Sequence, residues 1–178
     1  MAAWAAAAAA SWVMAGLPDL ARSQEAARTT RTVPPAFVLT VEPQPGKVLT
    51  FSPDDLARLP RRTLEATDHG GKPVRFEGVP LVEILKAAGA PLGETLRGPE
   101  LSKVLVVEAA DGYKAAFALP ELDPAFTDEV VLLADRRDGQ PLSAGEGPLR
   151  LVVPHEKRQA RWVRQVTALR VRDAASGR

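Results

Sequence analysis

From Ala36 onward, glycine and proline interrupt the chain so often that only short strands and short helices fit between them. The sequence holds 13 Gly and 16 Pro in 178 residues. Between these breaks lie apolar, β-branched runs. Phe37-Val38-Leu39-Thr40-Val41 and Val48-Leu49-Thr50-Phe51 are two of them, joined through Pro45-Gly46. Residues of this kind suit a pleated, half-buried surface, so both runs predict strands. Ser52-Pro53-Asp54-Asp55 predicts a short helix, with serine as N-cap, proline in the first turn and acids at the positive end of the dipole. Pro60 stops it. Residues 63–67 and 73–77 read as strands around a turn at His69-Gly70-Gly71. Pro80 opens a second helix that carries Leu81, Ile84, Leu85 and Ala88 on one face and ends at Gly89.

The second half continues the pattern. Residues 104–109 and 113–119 flank Asp111-Gly112, a strong hairpin signal. Residues 130–133, 149–153 and 163–171 predict further strands, with a turn at Asp138-Gly139 between the first two. Strands outnumber helices and no βαβ period repeats. The expected fold class is therefore α+β: a mixed, β-sheet-rich domain with short helices. The length suits one domain with a real core.

Composition narrows the function classes. Hydrophobic residues make up 46% and charged residues 25%, as in a globular protein. The net charge of +1 gives the whole molecule no bias toward nucleic acid. Charge is uneven locally, because residues 150–172 hold seven Arg or Lys against the single acid Glu156. Such a cluster is either a solvated face or an anion site. The tryptophans do not interleave with it, which argues against nucleic acid as a partner. The chain has no cysteine, so disulfides, thiolate nucleophiles and zinc–thiolate sites are excluded.

Residues 1–23 read as a signal peptide. The apolar run over residues 2–16 is short for a membrane span, and Ala21-Arg22-Ser23 offers small residues where a signal peptidase reads. The run lacks the Lys or Arg that usually precede one. Residues 24–35 read as a polar tether ending in Pro34-Pro35, and residues 36–173 as the domain. The expected location is periplasmic or secreted, with no transmembrane anchor after processing.

Four motifs in fixed order carry a family resemblance: Phe76-Glu77-Gly78-Val79-Pro80-Leu81, Asp111-Gly112-Tyr113, Gly147-Pro148-Leu149-Arg150, and Arg161-Trp162-Val163. In order and spacing, over roughly residues 38–171, the chain resembles the oxidoreductase molybdopterin-binding domain of the sulfite oxidase-like family. The resemblance implies a sulfite oxidase-like fold and a pyranopterin cofactor with a terminal phosphate. It also implies that Gly147, Arg150, His155 and Arg161 face that cofactor, with Lys157 or Arg158 beside them. Active members ligate molybdenum through a cysteine about a dozen residues before the glycine of Gly-Val-Pro-Leu. Here that count falls on Ala66-Thr67-Asp68-His69, which holds no soft thiolate donor. The resemblance thus leaves molybdopterin as the implied cofactor and a small anion or pterin as the implied ligand. Molybdenum ligation is in question, and no catalytic residue, substrate or redox partner is assigned.

Read without the family, the same residues leave two roles open. Glycine lets backbone N–H groups approach an anion, and an arginine just inside a strand presents a planar fork suited to phosphate. Arg150 would equally pair with a nearby acid and order the sheet edge. Asp68, His69 and His155 supply N and O donors, but two histidines in such a chain are more often turn or surface residues, and no metal site is assigned. The expected function is an exported protein resembling a molybdopterin-dependent oxidoreductase domain without normal molybdenum chemistry. The alternative is a cofactor-free binding or accessory domain that kept the fold and an anion pocket.

Overall fold

The computed structural model describes residues 37–176, so the expected leader and tether lie outside the described residues. In chain order the strands are β1 (Leu39–Gln44), β2 (Lys47–Phe51), β3 (Arg62–Thr67), β4 (Pro73–Pro80), β5 (Lys103–Ala109), β6 (Lys114–Ala118), β7 (Leu132–Arg137), β8 (Gln140–Pro141), β9 (Arg150–Val152) and β10 (Val166–Asp173). Two helices join them, α1 (Pro53–Ala57) and α2 (Leu81–Ala88), with short 3₁₀ turns between other elements. The strands form two sheets, so the sheet-rich α+β expectation holds.

The first sheet runs β2-β1-β10-β5-β6. Its centre is a parallel pair that joins the first and last strands, with Thr40 beside Ala168 and Glu42 beside Arg170. The other pairings are antiparallel, including the β5–β6 hairpin around Asp111-Gly112. The second sheet runs β3-β4-β7. Beyond β7, β8 pairs with Arg136 and Arg137, while β9 pairs with residues 132–134.

Local sequence accounts for the helices. Ser52 Oγ accepts from the Asp55 N–H at 3.2 Å, and the Asp55 carboxylate accepts from the Ser52 N–H at 2.9 Å, closing a capping box on α1. Helix α2 buries Leu81, Ile84, Leu85 and Ala88, the face that its spacing predicts. It packs against β1 and β4. Leu39, Val41, Phe76, Leu105, Leu132, Leu151 and Leu169 complete a core drawn from both sheets.

Several strand boundaries shift from expectation, and two of the shifts have a local reason. The strand expected over residues 130–133 begins at Leu132 and continues to Arg137. Val131 precedes it because its carbonyl accepts the Leu81 N–H at 2.9 Å and so ties the chain to the start of α2. The last strand begins at Val166, because residues 159–161 form a 3₁₀ turn that turns Trp162 into the core. Gly78 has a packing reason to be glycine. A Cβ there would lie 2.1 Å from the Leu133 carbonyl oxygen on β7.

Candidate functional site

The second sheet assembles a compact polar centre. Phe76 on β4 stands in register with Arg137 on β7, and Arg150 on β9 pairs with Ala134 of the same strand. Both guanidiniums are thereby carried to the Phe76 ring, Arg137 at 5.9 Å and Arg150 at 5.5 Å from its centroid. Trp162 meets Phe76 edge-on at 6.0 Å and lies 5.5 Å from the Arg150 guanidinium. Its indole N–H donates to the Val153 carbonyl at 3.0 Å, which holds the ring in place.

Two carboxylates are hydrogen-bonded to the two cations, and a third, Asp138, stands 3.9 Å from Arg137 Nε. Asp68, just past the end of β3, accepts from Arg137 Nη2 at 2.6 Å. Glu146 Oε1 accepts from Arg137 Nη1 at 3.3 Å and from Arg150 Nη1. Ser143 Oγ donates to the other Glu146 oxygen at 3.3 Å. Arg150 is 3% exposed, and burial pushes its pKa below the ordinary arginine value, with Glu146 acting in the opposite direction. It stays protonated, since guanidinium does not lose its proton in proteins. Backbone bonds from Lys72 and Gly70 and the Arg137 guanidinium hold the Asp68 carboxyl below the usual range, against the effect of burial. Two buried atoms here lack a partner, Arg150 Nε and Gln159 Oε1, while Gln159 Nε2 donates to the Thr67 carbonyl.

The four residues expected to face a cofactor separate. Gly147 and Arg150 belong to this centre. Gly147 N–H donates to the Ser143 carbonyl at 2.8 Å, and a Cβ on Gly147 would lie 2.9 Å from Leu142 Cβ. Glycine is therefore needed to fold the 142–149 loop. Of the two roles open to Arg150, pairing with a nearby acid is the contact formed. Arg161 stands in a different set: its Nε donates to Glu156 at 2.5 Å, and its Nη1 donates to Glu121 at 3.0 Å and to the Ala116 carbonyl at 3.1 Å. It lies 4.2 Å from the Phe117 ring centroid. Burial lowers its pKa, but the bonds to Glu121 and Glu156 outweigh that and raise it overall. His155 points elsewhere, with Nδ1 3.0 Å from Glu129. Glu129 lines a cavity of about 270 Å³ beside the start of α2, with Arg61, Arg62, Glu83 and Asp128.

The basic excess of residues 150–172 is dispersed in the same way. Arg170 and Arg172 reach Glu42 at 2.8 and 2.7 Å on the first sheet, and Arg170 also reaches Glu108 at 3.1 Å. Lys157, Arg158 and Arg164 are exposed. Sequence reasoning missed Arg137 and Glu146. Glu146 had a local signal, four residues before Arg150. Arg137 had none, because Asp68 lies 69 residues away from it.

These residues do not fit a molybdenum held in the family's way. The chain has no thiolate. Among the described residues, no three His, Asp or Glu side chains gather as a metal site. The arginine implied for the pterin phosphate already has a carboxylate on it.

Comparison with known proteins gives the fold its family. No curated protein sequence matches the chain. The crystal structure of the sulfane dehydrogenase SoxCD from Paracoccus pantotrophus matches with a TM-score of 0.59 and 26% identity, over 77% of this chain and 38% of that one. The chain thus spans well under half the length of that relative. The family model described as oxidoreductase molybdopterin binding domain matches residues 26–178. With its sheets, its motif order and that match in agreement, the chain belongs to the oxidoreductase molybdopterin-binding domain family, as a member without cysteine.

Proposed function

We propose that this protein is an exported, cofactor-free binding or accessory domain that keeps the molybdopterin-domain fold without molybdenum chemistry. The observation that carries the reading lies where the family's metal ligand would stand. Residues 66–69 offer no thiolate, and Asp68 is tied to Arg137. Thiolate is the soft, strongly donating ligand that completes the metal's coordination in active members, and no carboxylate or imidazole replaces its donor character. The cations beside it are neutralised internally by Asp68 and Glu146, which leaves little uncompensated charge for an anionic cofactor to meet.

The second reading is a molybdopterin-dependent oxidoreductase domain acting within a larger assembly. The family match and the likeness to part of SoxCD favour it. Metal analysis separates the two. Full-length protein made in cells competent for molybdopterin synthesis should carry well under one molybdenum per chain and show no sulfite or sulfoxide redox activity. Stoichiometric molybdenum that survives dialysis, with activity, would sink the cofactor-free reading. Export is checked by mass spectrometry of the cell-envelope fraction, where the mature chain should begin at or near Gln24. An intact N-terminus confined to the cytosol would remove the periplasmic or secreted assignment.

A further inference from the structure

We infer that Glu146 is an internal anion seated on a cation centre formed by Arg137 and Arg150, and that removing it uncovers a site for a small oxyanion such as inorganic phosphate. The inference deepens the cofactor-free reading and rests on it.

The geometry is that of a ligand site filled by the chain itself. One oxygen of Glu146 is shared between the guanidiniums of Arg137 and Arg150, and the other takes the Ser143 hydroxyl. Bridging two cations through one oxygen, with a hydroxyl on the next, is how a bound oxyanion is held. Glu146 does not exhaust the donors. Arg150 is 97% buried, being 3% exposed, and its Nε has no partner.

The surroundings favour the same conclusion. Phe76 and Trp162 flank the Arg150 guanidinium and keep water from it, so its charge must be met by something within the centre. Asp68 and Glu146 are hydrogen-bonded to the two cations, and Asp138 Oδ2 stands 3.9 Å from Arg137 Nε. Without Glu146, the buried Arg150 guanidinium loses the carboxylate that meets its charge. Glu146 also comes from a loop and not from a strand. That loop is held from the last strand's side by the Gln165 N–H on the Glu146 carbonyl at 3.0 Å and by Gln165 Nε2 on the Ala144 carbonyl at 2.9 Å. Removing the Glu146 side chain leaves both of these bonds in place. The arginines keep their strand positions, and the emptied volume is bounded by donors.

The test follows thermal unfolding of the full chain in increasing inorganic phosphate at constant ionic strength. Wild type should show no phosphate-specific shift. Glu146→Ala should show a saturable rise in Tm of about 5–10 °C at roughly a hundred-fold excess over Kd. The rise should vanish in Glu146→Ala combined with Arg137→Ala, which separates this centre from the exposed Lys157 and Arg158. If Glu146→Ala fails to fold without phosphate, Glu146→Gln carries the test, because it keeps the side chain's shape while removing its charge. Its rise should be smaller, since the anion must displace the amide. No phosphate-dependent rise in either variant, or an equal rise in wild type, overturns the inference. Molybdenum in the wild-type protein would instead refute the cofactor-free reading, and the phosphate response of the variants would be scored separately.

Discussion

Arg150→Ala distinguishes a buried structural cation from an open ligand arginine, and the structure sets its size. Removing one partner of a buried ion pair costs about 3–5 kcal/mol, because the other charge is stranded. Here the stranded group is Glu146, whose side chain is 17% exposed and which keeps Arg137 at 3.3 Å. That relief puts the ion-pair loss at the low end of the range. The guanidinium's contacts with Phe76 and Trp162 add to it, at about 0.5–2 kcal/mol each for such cation–π pairs, though not additively. The expected total is about 4–5 kcal/mol, a fall in Tm of roughly 8–20 °C for a chain of this size. Urea unfolding followed by circular dichroism should show a lower midpoint at unchanged slope. A double-mutant cycle with Glu146→Ala should return a coupling of about 1–3 kcal/mol. Arg150→Ala within about 0.5 kcal/mol of wild type, the range of ordinary surface changes, would refute the structural assignment and return Arg150 to the role of an open ligand arginine.

Four further outcomes follow from the local structure. Gly78→Ala should destabilise by about 3 kcal/mol, at the upper end of typical overpacking, because its new Cβ meets the backbone of β7 at 2.1 Å. Gly145→Ala, with nothing within 4 Å, should be neutral or slightly stabilising in the same urea assay. Glu42 has its pKa lowered to about 2, chiefly by Arg172, then by the Gly46 N–H and Arg170. Its contribution is therefore complete above the ordinary glutamate range and is lost as pH falls toward about 2. The Tm gap between wild type and Glu42→Gln should close over that acid interval, and a gap independent of pH would show that the carboxylate's charge is not responsible. Trp162→Phe should cost stability through the lost indole bond to Val153 at 3.0 Å, and a midpoint matching wild type in urea would show that bond to be unimportant.

The parts of this fold that were legible in the sequence have determinants lying within a few residues of one another. The capping box needs only Ser52 and Asp55, α2 needs its four spaced apolar residues and Gly89, and the β5–β6 hairpin needs Asp111-Gly112. The order and spacing of the four motifs sufficed for the family. The absence of cysteine was a property of the sequence alone and already put the metal in question. Which strands pair was decided by burial across the whole chain. The first strand lies parallel to the last, with Glu42 opposite Arg170, and no local pattern encodes that choice. The candidate site depends on the same kind of choice. Pairing β4 with β7 sets Phe76 beside Arg137, and the β3–β4 turn then presents Asp68 to it. The 142–149 loop brings Glu146 onto both arginines, while Arg161 is taken by Glu156, Glu121 and the Ala116 carbonyl. Sequence supplied the charges, but only the tertiary structure decided which of them neutralise each other, because a buried cation takes whichever carboxylate the packed sheets bring within reach.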